Sequence, residues 1–317
     1  MPKIIPYLSS ILLLLCLSDS GYSQPWFTGS LLSSSGKTVP RGHSVLEIYD
    51  FTIHKGHSFN SQGHKVPSIN TKSQQQDLFF AYALADKVDI NLNLIYTRNE
   101  VEKMIDKHIG DTSIAVGFQV LEQKPDALMP DLRISLQEIF PTGRFASLNP
   151  INKGADATGS GSYQHVLNFN FQQLTQFSEL HYLRSRLNVS FLYAHPRLLN
   201  GVSAAGGDPD TKGLLIPGYL IALDLSGEYT LTKHWVAAMD LFYTKHQSSS
   251  FKGYAGIDPT GQLATIGQSS ANELSIAPAI EYNFSAKYGL IAGTWFAVEG
   301  KNVGAFSSVV AAFIAYL

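Results

Sequence analysis

The chain has 317 residues, of which 15% are charged and 11% aromatic, with a formal net charge of −2. A soluble domain usually carries about 25% charged residues, so a water-exposed surface of this size would be poorly covered. The near-neutral balance offers no basic footprint, which argues against nucleic acid as a partner.

The N-terminus has the order of a secretory signal. Lys3 precedes an apolar run at 11–17 containing LLLLCL, and Gly21 and Ser23 are small residues at −3 and −1 of a cleavage after residue 23. A short membrane helix is the first alternative, but the run falls below the roughly 20 residues a span needs. A lipoprotein signal at Cys16 is the second, although Leu15 stands where such a site prefers a small residue. Cys16 is the sole cysteine, so an exported mature chain must hold its fold without disulfides. No later apolar run approaches a helical span, and any crossing falls to strands of about 9–11 residues closed into a barrel.

Residues 24–43 are rich in Ser, Gly and Pro without period, an irregular segment that is either periplasmic or tucked into a lumen. A first strand is expected at 44–54 with ambiguous facing, followed by a polar connection at 55–75. The second, 77–85, puts Leu78, Phe80, Tyr82 and Leu84 on one face. The third, 89–98, sets Ile90, Leu92, Leu94 and Tyr96 against Asn91, Asn93 and Thr97. The charged connection 99–110 allows a short helical turn. The fourth strand, 111–121, opposes Ile114, Val116, Phe118 and Val120 to Ser113, Gly117 and Gln119. The fifth, 131–140, opposes Leu132, Ile134 and Leu136 to Arg133, Ser135 and Gln137. The sixth, 163–173, opposes Leu167, Phe169 and Phe171 to Asn168, Asn170 and Gln172.

The seventh strand, 181–194, has Leu187, Val189 and Phe191 against Arg184, Arg186, Asn188 and Ser190. After a Gly/Pro/Asp-rich loop, the eighth, 218–231, sets Leu223, Leu225 and Tyr229 against Asp224, Ser226 and Glu228. The ninth, 235–246, carries Asp240 and Thr244 opposite Met239 and Leu241, and a Ser/Gly loop follows. The tenth, 271–284, opposes Glu273, Ser275 and Glu281 to Ile276 and Ile280, and its Pro278 predicts a bulge or local irregularity because it cannot donate to a ladder. Strands at 288–298 and 305–317 complete the chain, with facing that the alternation does not decide. Twelve strands result, with short turns after even strands and long polar loops after odd ones, as in outer-membrane barrels whose periplasmic turns are brief. A soluble all-β protein predicts neither this parity nor a polar face in nearly every strand.

The segment EIFPTGRFASLNPINKGADATGSGSY, residues 138–163, resembles the outer-membrane transporter family linked to the MetA pathway of phenol degradation, and the twelve-strand layout agrees along most of the mature chain. The resemblance implies a barrel and a role in uptake, and it carries over no catalytic or binding residues. The chain departs from the usual outer-membrane ending, closing on Leu317 with the aromatic Tyr316 one place early.

The polar face holds Arg133, Arg184, Arg186, Asp224, Glu228, Asp240, Glu273 and Glu281, most of them toward the periplasmic half. Antiparallel pairing of the seventh and eighth strands brings Arg184 near Glu228, and Arg186 near Asp224 or Glu228. These charges are either a constriction that selects solutes or a paired network that stiffens a narrow lumen. The glycine-rich loop 141–161 either folds into the pore or lies on the surface. His54, His57 and His64 near Asp50 read as solvated side chains rather than metal ligands. No GxSxG, HExxH or spaced carboxylate pair is present, so no catalytic residue, metal or cofactor is assigned. The expected protein is all-β, a transmembrane antiparallel up-and-down barrel over 44–317, surrounded by outer-membrane lipid. Its expected function is passive or weakly selective uptake of small solutes, hydrophobic or aromatic ones included. The alternative is a structural or surface-interaction barrel with a filled lumen.

Overall fold

The computed structural model describes residues 26–124 and 128–317. The expected secretory signal at 1–23 lies outside the described residues. Sixteen strands follow in order: β1 (Ser44–Phe59), β2 (Lys65–Ala85), β3 (Val88–Val101), β4 (Met104–Ile109), β5 (Thr112–Leu121), β6 (Asp131–Phe140), β7 (Gln164–Gln176) and β8 (Tyr182–Ala194), then β9 (Arg197–Asn200), β10 (Lys212–Ile216), β11 (Leu220–Thr230), β12 (Trp235–His246), β13 (Ser250–Tyr254), β14 (Ala271–Asn283), β15 (Tyr288–Lys301) and β16 (Val303–Tyr316).

Antiparallel neighbours close twelve of these, all but β4, β9, β10 and β13, into a barrel. At the seam β1 pairs with β16, and Ser44 and Leu317 exchange backbone hydrogen bonds of 2.9 and 2.8 Å. Closure leaves no free edge in the wall, the condition for spanning a bilayer with strands. The outer face is apolar and exposed: Leu136 is 58% exposed, Leu225 53% and Val309 61%. Such a belt is costly in water and at home in hydrocarbon. Among the described residues, no helix is long and apolar enough to cross a membrane.

Facing follows the period-two pattern through the middle of the chain. Asp89, Asn91, Ser113, Arg133, Asn170, Arg186, Asp224, Glu228, Asp240 and Glu281 are all buried inside the barrel. The undecided strands resolve too. In β16, Val310, Ala312 and Ile314 point inward, while Val309 and Phe313 point outward; in β15, Ile291 is inside and Leu290 outside. Alternation is unreadable there because both faces are apolar.

Four connections depart from expectation. The polar stretch 55–75 is mostly strand, since β1 and β2 continue as a hairpin to Phe59↔Lys65, with a bulge between Lys55 and His57. The segment 99–110 holds no helical turn: β3 folds onto β4 through a two-residue loop in which Glu102 has φ 55°, with Val101 opposite Met104. Charge there obscures a β pattern, and β4 and β5 follow one another along β3 with a break at Gly110 and Asp111. The loops after β8 and β12 are not irregular throughout, because β9, β10 and β13 form a small separate sheet. Their four or five residues apiece are hidden among turn-forming neighbours. In β14 the register shifts between Leu274 and Ser275, and Pro278 keeps register with Met239 of β12 while Ala277 and Pro278 leave the ladder to β15, the local irregularity expected of a residue without an N–H.

The small sheet and loop 141–163 share a core of Phe145, Leu199 and Leu215 at the extracellular end. The Arg197 guanidinium lies over the Phe145 ring, 4.0 Å from its centroid. Burial there pulls Arg197 down to about 10, opposed by the nearby carboxylate of Asp111. Asp111 also accepts from the N–H groups of Gly143 and Ser160, at 2.9 and 2.7 Å, and Asn99 donates to the carbonyls of Ala155 and Ala157. Loop 141–161 is therefore tied to the barrel rim as part of a cap.

Candidate functional site in the lumen

The segment from Trp26 to His43 has no strand, and its residues 27–39 lie inside the barrel, against its periplasmic half. Without a ladder, its backbone N–H groups need other acceptors. Lumen carboxylates and amides supply them. Glu281 accepts from Thr28 N–H at 2.9 Å and its hydroxyl at 2.7 Å. Asp240 accepts from Leu31 and Ser33 N–H, both at 3.2 Å. Gln119 accepts from Thr38 N–H at 2.7 Å, and Asp89 from Val39 N–H at 3.1 Å. Lys37 reaches Asp131 at 3.4 Å.

The arginines work from the other direction. Arg184 forks onto Glu228, with Nε donating to Oε2 at 2.6 Å and Nη2 to Oε1, and its guanidinium covers the Phe27 ring at 4.5 Å. Arg186 donates to the Ser33 carbonyl at 2.6 Å and to Gln172 at 3.2 Å, and stands 3.5 Å from Glu228. Arg133 donates to Asp89 at 2.6 Å. Gly117 on the strand between makes this possible, since a Cβ there would lie 2.2 Å from the Arg133 guanidinium. Two fork contacts and shared acceptors are what keep buried charge tolerable.

Of the sequence-derived residues, the structure brings Arg184, Arg186 and Glu228 together, and the register sets Glu228 opposite Arg184. Asp224 is not with them: it sits opposite Asn188, and its Oδ1 has no hydrogen-bond partner among the described residues. Asp240 and Glu281 hold the N-terminal segment rather than an arginine. Arg133 stands apart on β6 with Asp89. The alternation that marks Asn91 and Asn93 also marks Asp89, but its place at a turn hid it. The threaded segment has no periodic signal at all.

The opposite wall is built differently. Leu31, 2% exposed, packs with Phe51, Ala277, Ile291 and Val310. Toward the outside, Trp295 meets Phe306 at 4.7 Å, Phe242 at 6.1 Å and Phe51 at 6.5 Å, and donates its indole N–H to Ser275 at 3.0 Å. Edge-on aromatic contacts of this kind add to simple area burial. Between the walls, beside the threaded segment, lies a cavity of about 650 Å³. Val45, Tyr49, Phe51 and Phe79 border it on one side, interleaved with Glu47 and Asp77, and Asn91, Asn93, Ser113, Gln137 and Asn168 on the other, together with Asp89 and Arg133. None of its lining comes from loop 141–161.

A closed barrel with an apolar belt and a polar, partly occupied lumen defines an outer-membrane β-barrel. No family model matches the chain, and no curated protein matches it. Among solved structures it is similar to the COG4313 outer membrane channel from Pseudomonas putida F1, with 14% identity, 89% of this chain and 97% of that chain covered, and a TM-score of 0.67. The β domain of the Bordetella autotransporter BrkA matches at 9% identity over 87% of this chain and 100% of that one, with a TM-score of 0.46. The CymD monoaromatic hydrocarbon channel matches at 9% identity over 87% and 88%, with a TM-score of 0.40. The first of these shares the fold; the other two agree only in being barrels.

Proposed function

We propose that this barrel is an outer-membrane channel for small solutes with an apolar, aromatic part, and that the threaded N-terminal segment narrows it from the periplasmic side. The observation that carries this reading is the cavity of about 650 Å³, whose β1 and β2 side sets Val45, Tyr49, Phe51 and Phe79 among Glu47 and Asp77 and whose other side is polar. Ligand-sized cavities that set apolar side chains beside oriented polar groups are typical of small-molecule sites. The lumen charges then serve to dock the segment as much as to select ions. No residue is proposed to catalyse a reaction.

A second reading has its own support. The segment is held by carboxylates, arginines and a buried leucine, which suits a permanently filled, structural barrel. Gly36 separates the two readings. A Cβ there would lie 2.5 Å from Gln172 Cβ and 2.7 Å from its backbone nitrogen. Gly36→Val should therefore push the segment off β7 without deleting any lumen charge. In planar bilayers we expect small, interrupted currents from the native protein and larger, steadier ones from Gly36→Val, with small aromatic solutes blocking both. A barrel that stays silent in both forms removes the channel and leaves the structural reading.

A further inference from the structure

Away from the lumen, the outer face of the rim carries a histidine pair. In the register of β6, β7 and β8, Glu138 stands opposite His165, and His165 opposite Tyr193. The backbone N–H of His195 donates to the Tyr163 carbonyl at 3.0 Å, which continues the ladder past both strands and sets His195 diagonal to His165. All three side chains share the outward face with Leu136 and Phe191, one rung pair above the apolar belt. The Nε2 atoms of His165 and His195 approach to 2.6 Å, and the rings cross at 76°. The Glu138 carboxylate meets Nδ1 of His165.

That carboxylate settles the tautomer. With Nδ1–H held by Glu138, the neutral ring of His165 presents its Nε2 lone pair toward His195. Two imidazole nitrogens converging on one point require a proton or a cation between them. We propose that His165 and His195 bind one divalent transition-metal ion, Cu²⁺ or Ni²⁺ in preference to Zn²⁺, with Glu138 as a positioning residue behind His165. Metal–nitrogen bonds of about 2.0–2.1 Å put two ligands about 2.9 Å apart at a right angle and about 3.3 Å apart in a tetrahedron. The rings meet nearly end-on, with centroids 4.8 Å apart, so each exposed side chain must turn to aim its lone pair at a shared ion, and the stability series places Cu²⁺ above Zn²⁺. Among the described residues no three His, Cys, Asp or Glu side chains are grouped to hold a metal. The protein therefore supplies two bonds, and the remaining positions face solvent. The site is independent of whether the lumen conducts.

The test is copper titration of the purified, chelator-stripped barrel in detergent, followed by calorimetry and electron paramagnetic resonance. We expect one Cu²⁺ per chain with nitrogen hyperfine structure. His165→Asn and His195→Asn should each abolish that equivalent, His54→Asn should leave it, and Glu138→Gln should weaken it by about 10–100-fold. Heat-modifiable migration of each variant shows that it is folded. Absence of bound copper in the native protein, as for a pair that shares only a proton, overturns the site. So does binding that survives both histidine replacements. An unchanged affinity in Glu138→Gln removes the positioning role.

Discussion

The two walls of the lumen solve the same problem by opposite means. From β3 through β8 to β11 the barrel interior is built of Asp89, Arg133, Gln172, Arg186, Asn188 and Glu228, satisfied chiefly by charge pairs and by the threaded segment. From β14 through β16 to β1 it is built chiefly of Ala277, Ile291, Val310, Ala312 and Phe51, which are held by packing, with Ser275 and Glu281 of β14 as its hydrogen-bonding groups. The difference teaches where this interior is specified and where it is merely filled. Pairing is directional, so the polar wall dictates where the segment lies. Apolar packing is not directional, so its counterpart accepts a leucine, an aromatic cluster or a solute with little preference.

The largest effect is expected where a directional contact is removed. Glu228 is fully buried and serves Arg184 and Arg186 together. Glu228→Gln leaves two guanidinium groups without their carboxylate, and breaking a buried pair in this way costs about 3–5 kcal/mol. Thermal unfolding in detergent should show a clear drop, and Arg184→Gln should show a smaller one because Glu228 retains Arg186. In a salt gradient the two variants should shift the reversal potential in opposite directions, Glu228→Gln toward anions and Arg184→Gln toward cations. Equal, unshifted potentials would show that these charges do not face the conducting path.

The same asymmetry explains what was legible in the sequence. Strands at the polar wall announce themselves, because Arg184, Arg186, Asn188 and Ser190 alternate with Leu187, Val189 and Phe191. Strands at the apolar wall do not, because Val309 in lipid and Val310 in the lumen are chemically alike. Register-dependent pairs such as Arg184 with Glu228 follow from counting residues along two adjacent strands. Contacts made by the threaded segment do not, since nothing in its Ser- and Gly-rich composition encodes which carboxylate each N–H meets. Trp295 is illegible for a related reason: on a strand without readable facing, an indole is as plausible in the lipid belt as in the lumen.

An intermediate effect is expected at the centre of the apolar wall. Ile291, 1% exposed, packs with Leu31, Phe51 and Val310. Truncation of a buried isoleucine costs about 2–5 kcal/mol, and the lower part of that span is expected here because the threaded segment can settle into the space. Ile291→Ala should therefore lower the unfolding temperature while leaving ion selectivity unchanged. A shift in reversal potential from this variant would mean that the two walls are not separate, and that apolar packing also sets the position of the charges.

The smallest effect tests the polar tie of the indole in the aromatic cluster. Trp295 donates its indole N–H to Ser275, whose side chain is fully buried. Ser275→Ala removes the acceptor and leaves the indole N–H without a protein partner, a loss of about 1 kcal/mol when water reaches the site and about 1–3 when it does not. Trp295→Phe removes the donor as well and keeps a ring against Phe306 and Phe242. In a double-mutant cycle the pair should couple by about 0.5–1.5 kcal/mol, since each single change disrupts one shared contact. A cycle on Arg184 and Glu228 should give a markedly larger coupling, because there the contact is charged, forked and shared with Arg186. If the two couplings come out equal, the aromatic cluster is as directional as the charged wall. A solute crossing the lumen would then meet two specified surfaces, and the currents blocked by aromatic solutes should be sensitive to Ser275→Ala as well as to Trp295→Phe.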